Sequence, residues 1–271
     1  MGFFDFLNKE KRVFSSLIDK INIEDLNAVK KILKSNDIDF SKQDDSGYTP
    51  IGLATLLNKK EIVELILENG GFIDEVNKGN ETALHIAASE GNLDIIKLLL
   101  DNNADINARN DEEKTAVFSL IEAEQEYLDL LKYMVDNGAS INLKDYDAWN
   151  LLHVAALSNH FNIVNYLIEK SVDINGLDLD GNTPLHISVG NASLELTKLF
   201  VDNKADIHVV NKFASTLLHY AVSPLNTASL SIVKYLVEQG VDINLKDETG
   251  ATALDIAIAE ELKDIVEYLK N

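Results

Sequence analysis

The chain has 271 residues, a formal net charge of −21 and no cysteine. Lack of cysteine excludes disulfides, a thiol nucleophile and a Cys-ligated zinc, and no apolar run approaches the ~20 residues of a membrane-spanning helix. So acidic a surface repels nucleic-acid phosphate and anionic lipid, so neither is an expected partner; basic proteins are attracted over roughly a Debye length.

Met1 to Leu7 is apolar but has no basic leader and no small-residue cleavage site, so no secretory signal is expected and the expected compartment is the cytoplasm. Phe6 stands where a myristoylation signal needs Ser or Thr. Phe3, Phe4 and Leu7 are expected to pack onto the first repeat, with contact to a membrane as the alternative. Residues 14–43 carry apolar pairs, Ala28-Val29 and Ile32-Leu33, in the register of everything downstream, and read as a degenerate repeat. Residues 1–44 hold eight acids and eight bases, so the whole −21 lies beyond them.

From Thr49 onward one position recurs: Thr49, Thr82, Thr115, Asn150, Thr183, Thr216 and Thr252, in steps of 33, 33, 35, 33, 33 and 36 residues. A period near 33 predicts a stack of small units, each contacting only its neighbours. Two residues after this anchor comes an aliphatic residue, three after it usually His (His85, His153, His186, His219), and five after it usually Ala. Apolar pairs such as Ile95-Ile96 and Ile232-Val233 follow with helical spacing. Each unit therefore reads as a short helix, a turn and a second helix. The second helix is expected to end in a left-handed residue at Gly70, Gly138 and Gly240, with Asn103, Ser171 and Lys204 in that place elsewhere. Asp or Asn stands five residues before every anchor, which predicts a tight turn between units.

The best copy, Asp178-Leu-Asp-Gly-Asn-Thr-Pro-Leu-His186, contains Thr-Pro-Leu-His, and this resembles the ankyrin repeat. The resemblance covers roughly residues 44–271. It implies an all-α ankyrin-repeat solenoid: helix–turn–helix units with β-hairpin-like finger loops. The expected organisation is an N-terminal helix and capping repeat over 1–43, then seven repeats over 44–271, the last a C-terminal cap with a polar outer face. In this family the motif His and Thr hydrogen-bond the backbone and lock each turn. Four histidines recurring once per unit cannot converge on one metal ion, so neither metal nor cofactor is expected. Asp178-Leu-Asp180-Gly181-Asn182 superficially resembles a calcium loop but is out of register, and reads as the repeat turn. No phosphate-binding Gly loop or nucleophile elbow is present, so no enzyme is expected.

Two copies are irregular. Repeat three has two extra residues, Phe118 in place of His and Leu120 in place of Ala; repeat six has three extra near residues 223–229.

The resemblance places binding on the concave face, at positions four, three and one before the anchor and seven and eight after it. There Tyr146, Trp149, Leu179 and Phe213 are large and apolar in successive units, and Trp149 is the single tryptophan. With Asp111, Glu112, Asp147 and Asp180 around them they suggest hot-spot anchors with a charged rim. The expected function is protein binding, as a monomeric adaptor or scaffold for a basic partner. An acidic inhibitor of a basic toxin, or an effector delivered into another cell, are the alternatives.

Overall fold

The computed structural model describes residues 3–35, 38–224 and 228–271, with side chains described from Glu10 onward and not at Ser35. The expected packing of Phe3, Phe4 and Leu7, and residues 225–227 of the repeat-six insertion, lie outside the described residues. The described residues form sixteen α-helices, and the only strand-like pairing among them is two isolated bridges, Val76 with Thr82 and Lys246 with Thr252. None of the helices is long and apolar enough to cross a membrane.

The chain packs as two compact units, Met1–Ser140 and Ile141–Asn271. The first contains α1 (Phe3–Asn22), α2 (Leu26–Ser35), α3 (Pro50–Leu56), α4 (Lys60–Glu68), α5 (Ala83–Ser89), α6 (Leu93–Asp101), α7 (Ala116–Glu122) and α8 (Leu128–Asp136). The second contains α9 (Leu151–Leu157), α10 (Phe161–Glu169), α11 (Pro184–Gly190), α12 (Leu194–Asp202), α13 (Leu217–Val222), α14 (Leu230–Glu238), α15 (Ala253–Ala259) and α16 (Lys263–Lys270). Odd and even helices pair into hairpins, and each hairpin stacks on the next within its unit. The first hairpin departs from the others: α1 has 20 residues, where α3 has 7.

Helices of seven to nine residues are too short to persist alone. Burial and caps hold them. In the first unit Ala54, Ile62, Val63, Ile66, Ala87, Ile95, Ile96 and Leu99 have no exposed surface; in the second, Ala155, Ile163, Val164, Leu167, Ile232, Val233 and Leu236 have none. Each large aliphatic so buried contributes about 1.5–3 kcal/mol. Ala at the first-helix contact lets neighbouring helices approach closely.

The caps explain the Thr and His period. Anchors 49, 82, 115, 150, 183, 216 and 252 are the N-caps of the first helices, all with extended backbone. Where His stands three residues on, its Nδ1 accepts the anchor's backbone N–H: Thr82 to His85 at 3.2 Å, Asn150 to His153 at 3.2 Å, Thr183 to His186 at 3.1 Å and Thr216 to His219 at 3.1 Å. That acceptance leaves the ring proton on Nε2. From there His85 donates to Lys114 O at 3.1 Å, His153 to Asn182 O at 3.2 Å and His219 to Ala251 O at 3.1 Å, tying each cap to the following finger. Asp255 supplies the acceptor in the last repeat, at 2.9 Å from Thr252 N. In repeat three Phe118 offers no acceptor, and the buried Thr115 hydroxyl has no hydrogen-bond partner.

The second helices of repeats one to six end as expected. Gly70, Asn103, Gly138, Ser171, Lys204 and Gly240 all have positive φ. A second left-handed residue sits two before each anchor, and in two fingers it is alanine: Ala148 at φ 62 and Ala214 at φ 54. An L-residue there costs roughly 1–2 kcal/mol, against which glycine loses about 0.5–1 kcal/mol of chain entropy. Ala214→Gly is therefore expected to stabilise the second unit by about 0.5 kcal/mol, read as a higher urea midpoint; a lower midpoint would refute the strain.

Candidate functional site: a groove beside Trp149

Each finger is built around its Asp or Asn. The Oδ1 of Asp145 accepts the backbone N–H of Asp147 and Trp149; that of Asp178 accepts Asp180 and Asn182; that of Asn211 accepts Phe213 and Ser215. The loop resembling a calcium site is thus a turn whose carboxylate is occupied by its own backbone. Successive fingers are joined by single backbone bonds: Leu179 N to Asp147 O at 3.0 Å, Lys212 N to Asp180 O at 2.8 Å and Glu248 N to Phe213 O at 2.9 Å. This fixes the spacing of residues four and three before each anchor, and therefore sets Asp147, Leu179, Asp180 and their neighbours side by side.

Between these fingers and the first helices of the second unit lies an open groove of about 490 Å³. Asp147, Trp149, Leu179 and Asp180 line it, joined by Leu157, Asp178, Asn182, Ile187, Gly190, Asn191 and Tyr220. Four of the eight residues singled out in the sequence therefore meet in one place. Leu179 is 50% exposed. Trp149 is half-buried, its indole stacked on the His153 ring with centroids 5.6 Å apart. Tyr146 (73% exposed), on the same finger as Trp149, and Phe213 (44% exposed), on the Asn211 finger, do not line the groove.

Asp111 and Glu112 belong to the first unit. Glu112 pairs with Lys114 at 2.7 Å, and Lys114 also holds Glu122 at 2.7 Å. Burial alone would lower the Lys114 pKa, but the two carboxylates outweigh it and hold it above the ordinary lysine value. Asp111 accepts a hydrogen bond from the Asn80 amide. Both carboxylates are thus engaged locally.

The groove rests on a buried polar network absent from the sequence reading. The Asn182 amide oxygen accepts from Tyr220 OH at 2.7 Å and from Asn211 Nδ2 at 2.9 Å, while its Nδ2 donates to Asp178 Oδ2 at 3.1 Å. Burial, then the Asp178 carboxylate, push the Tyr220 phenol pKa up, which keeps it a donor. Beneath lie His153 and His186, whose pKa values are lowered to about 4, chiefly by burial. His186 meets the Tyr220 ring edge-on, centroids 5.1 Å apart, and its buried Nε2 has no hydrogen-bond partner. Tyr220 falls four residues after its anchor, a position that the family pattern does not mark for binding. Leu157, Gly190 and Asn191 fall seven and eight after theirs, a class the pattern does mark.

Among the described residues no group of three or more His, Asp or Glu is placed to hold a metal. A family model for ankyrin repeats matches residues 17–110, 120–211 and 188–271. Over 108 residues the chain is 34% identical to the E3 ubiquitin-protein ligase hecd-1 of Caenorhabditis elegans, covering 40% of this chain and 4% of that protein. It is 37% identical over 103 residues to alpha-latrotoxin-Lg1a of Latrodectus geometricus, covering 37% and 8%, and 29% identical over 116 residues to human inversin, covering 40% and 11%. The matched segment is thus a small part of each of these relatives. Among solved structures, the ankyrin repeat domain of Bcl-3, described as a unique member of the IkappaB protein family, matches with a TM-score of 0.65 at 27% identity, over 82% of this chain and 99% of that one.

Proposed function

The chain belongs to the ankyrin repeat family, and from that premise we propose that it is an adaptor whose second unit docks a basic segment of a partner protein in the groove beside Trp149. Ankyrin repeats are protein–protein interaction modules, and the fold is typically a non-catalytic one. The observation that carries the finer reading is the composition of the groove. Trp149, Leu157, Leu179 and Ile187 offer apolar contact, Asp147, Asp178 and Asp180 surround them, and no Lys, Arg or His lines it. An aromatic anchor within a charged rim is the usual anatomy of a binding hot spot. The opening suits a segment rather than a whole domain, and a stable interface usually buries about 800 Å² per partner. That favours an exchangeable adaptor contact over a tight stoichiometric inhibitor.

The test is capture from the source lysate at low salt by the wild-type chain, by Trp149→Ala with Leu179→Ala, and by Asp147→Asn with Asp180→Asn. Proteins of high isoelectric point should be retained by the wild type and bound about tenfold more weakly by either variant. Retention should also fall as salt rises. Equal capture by all three chains, or a captured set no more basic than the lysate, would overturn the assignment.

A further inference from the structure

The groove is a chemically one-sided surface, and we infer that it seats an arginine side chain in preference to a lysine. The inference rests on the docking reading above and sharpens it. Two of the three aspartates are unengaged: the Asp147 and Asp180 side chains are exposed and make no hydrogen bond or ion pair among the described residues. Asp178 is already occupied, by two backbone N–H groups on Oδ1 and by Asn182 on Oδ2. Asn182 is occupied on both sides. Asn191 spends its Nδ2 on Leu157 O at 3.1 Å, which leaves its amide oxygen. What remains at the wall is mostly acceptor, two carboxylates and an amide oxygen, against two donors, the indole N–H of Trp149 and the second amide N–H of Asn182.

A ligand that fits must bring several donors, few acceptors and an apolar stem. Guanidinium has five N–H donors in a rigid plane and no acceptor, and its trimethylene stem can lie along Leu157, Leu179 and Ile187. The separated carboxylates of Asp147 and Asp180 come from successive fingers, joined by the bond from Leu179 N to Asp147 O. A planar fork presents donors in more than one direction to such a wall, whereas an ammonium is a compact, strongly hydrated point charge. The aromatic wall adds to the discrimination. His153 is buried and stacked against one face of the Trp149 indole, so the groove receives the other face or the rim. Guanidinium stacks on indole better than ammonium does.

The full chain, immobilised, is offered four pools of random decapeptides that differ only in a fixed central residue: Arg, Lys, citrulline or Leu. Citrulline keeps the shape of arginine and removes its charge. The Arg pool should be retained about fivefold over the Lys pool and more strongly still over citrulline. The Arg preference should vanish in Asp147→Asn with Asp180→Asn and shrink in Trp149→Leu. Equal retention of Arg and Lys pools would overturn the inference, since bulk acidity alone would then explain it. Retention of the Leu or citrulline pool that Trp149→Leu abolishes would also overturn it, while leaving the groove as the docking site. Retention of no pool, or retention indifferent to every variant, would overturn both the inference and the docking reading.

Discussion

Between about pH 7.5 and pH 5.5 the second unit is expected to lose about 3 kcal/mol of stability, because buried His153 and His186 cannot follow the unfolded chain in taking up protons. His153 and His186 have pKa values near 4 in the fold, lowered first by burial. Their ordinary value is about 6.5. The sign follows from proton counts: below pH 6.5 the unfolded state binds protons that the folded state refuses. Stability is therefore complete above pH 6.5 and is lost as the pH falls from there toward 4. At about pH 5.5 each group accounts for roughly 1.4 kcal/mol.

The charges around them do not reverse this. Asp178 and Asp173 favour protonation of His153 and Lys144 opposes it; Asp178 favours protonation of His186 and His153 opposes it. All are outweighed by burial. Carboxylates with ordinary pKa values near 4 remain largely ionised at about pH 5.5, so the self-repulsion of a −21 chain is little relieved. In the first unit His85 is shifted in the same direction by burial. The measurement is a urea midpoint against pH followed by tryptophan fluorescence, since the single tryptophan lies on the His153 ring. His186→Gln should make the pH dependence shallower, by about half of the total effect. A midpoint that stays constant or rises on acidification would contradict the burial argument.

Gly176→Ala is expected to cost about 2 kcal/mol in the wild-type chain and clearly less after Asn150→Thr, where only the Asp173 carbonyl, 3.3 Å from the added Cβ, still crowds it. Asn150 replaces the threonine of the other anchors and does more than it. Its Oδ1 accepts from Leu152 N at 3.1 Å and His153 N at 3.2 Å, and its Nδ2 donates to Asp173 O at 2.8 Å. A Cβ added at Gly176 would lie 2.6 Å from that Nδ2. Alanine would push the amide off the Asp173 carbonyl and leave a buried donor unpaired, since Asn150 is only 3% exposed. Threonine has no amide to displace. A double-mutant cycle in urea should return a coupling of about 1–2 kcal/mol. Additive costs would mean that Asn150 and Gly176 are independent departures from the repeat.

The anchors, caps, finger turns and left-handed helix ends were legible because they depend on residues three to five apart, and the period repeats them. Thr183 and His186 illustrate this: the cap is visible in four letters. Other parts depend on contacts between repeats, whose partners lie about 30 residues apart and obey no motif. Asn182 accepts from Asn211 and Tyr220, 29 and 38 residues on. Asn150 needs Gly176, 26 positions away, with nothing in the period to link them. Glu112 read as part of a charged rim by its position, but its ion pair with Lys114 depends on side-chain direction within a finger. Tyr146 and Trp149 are both large aromatics of the same finger. The turn around Asp145 leaves the first exposed and folds the second against His153.

The missing His186 link changes how repeats five and six hold together. His85, His153 and His219 tie one repeat to the next through a carbonyl of the following finger. At His186 that knot is untied, and the joint is made instead by Tyr220 and Asn211 meeting at Asn182. Tyr220 and Asn182 also border the groove. Grip on a partner and cohesion of the stack thus draw on the same atoms. A visitor that competes for the Tyr220 hydroxyl loosens repeat six from its neighbour, and one that leaves the hydroxyl alone clamps the two together.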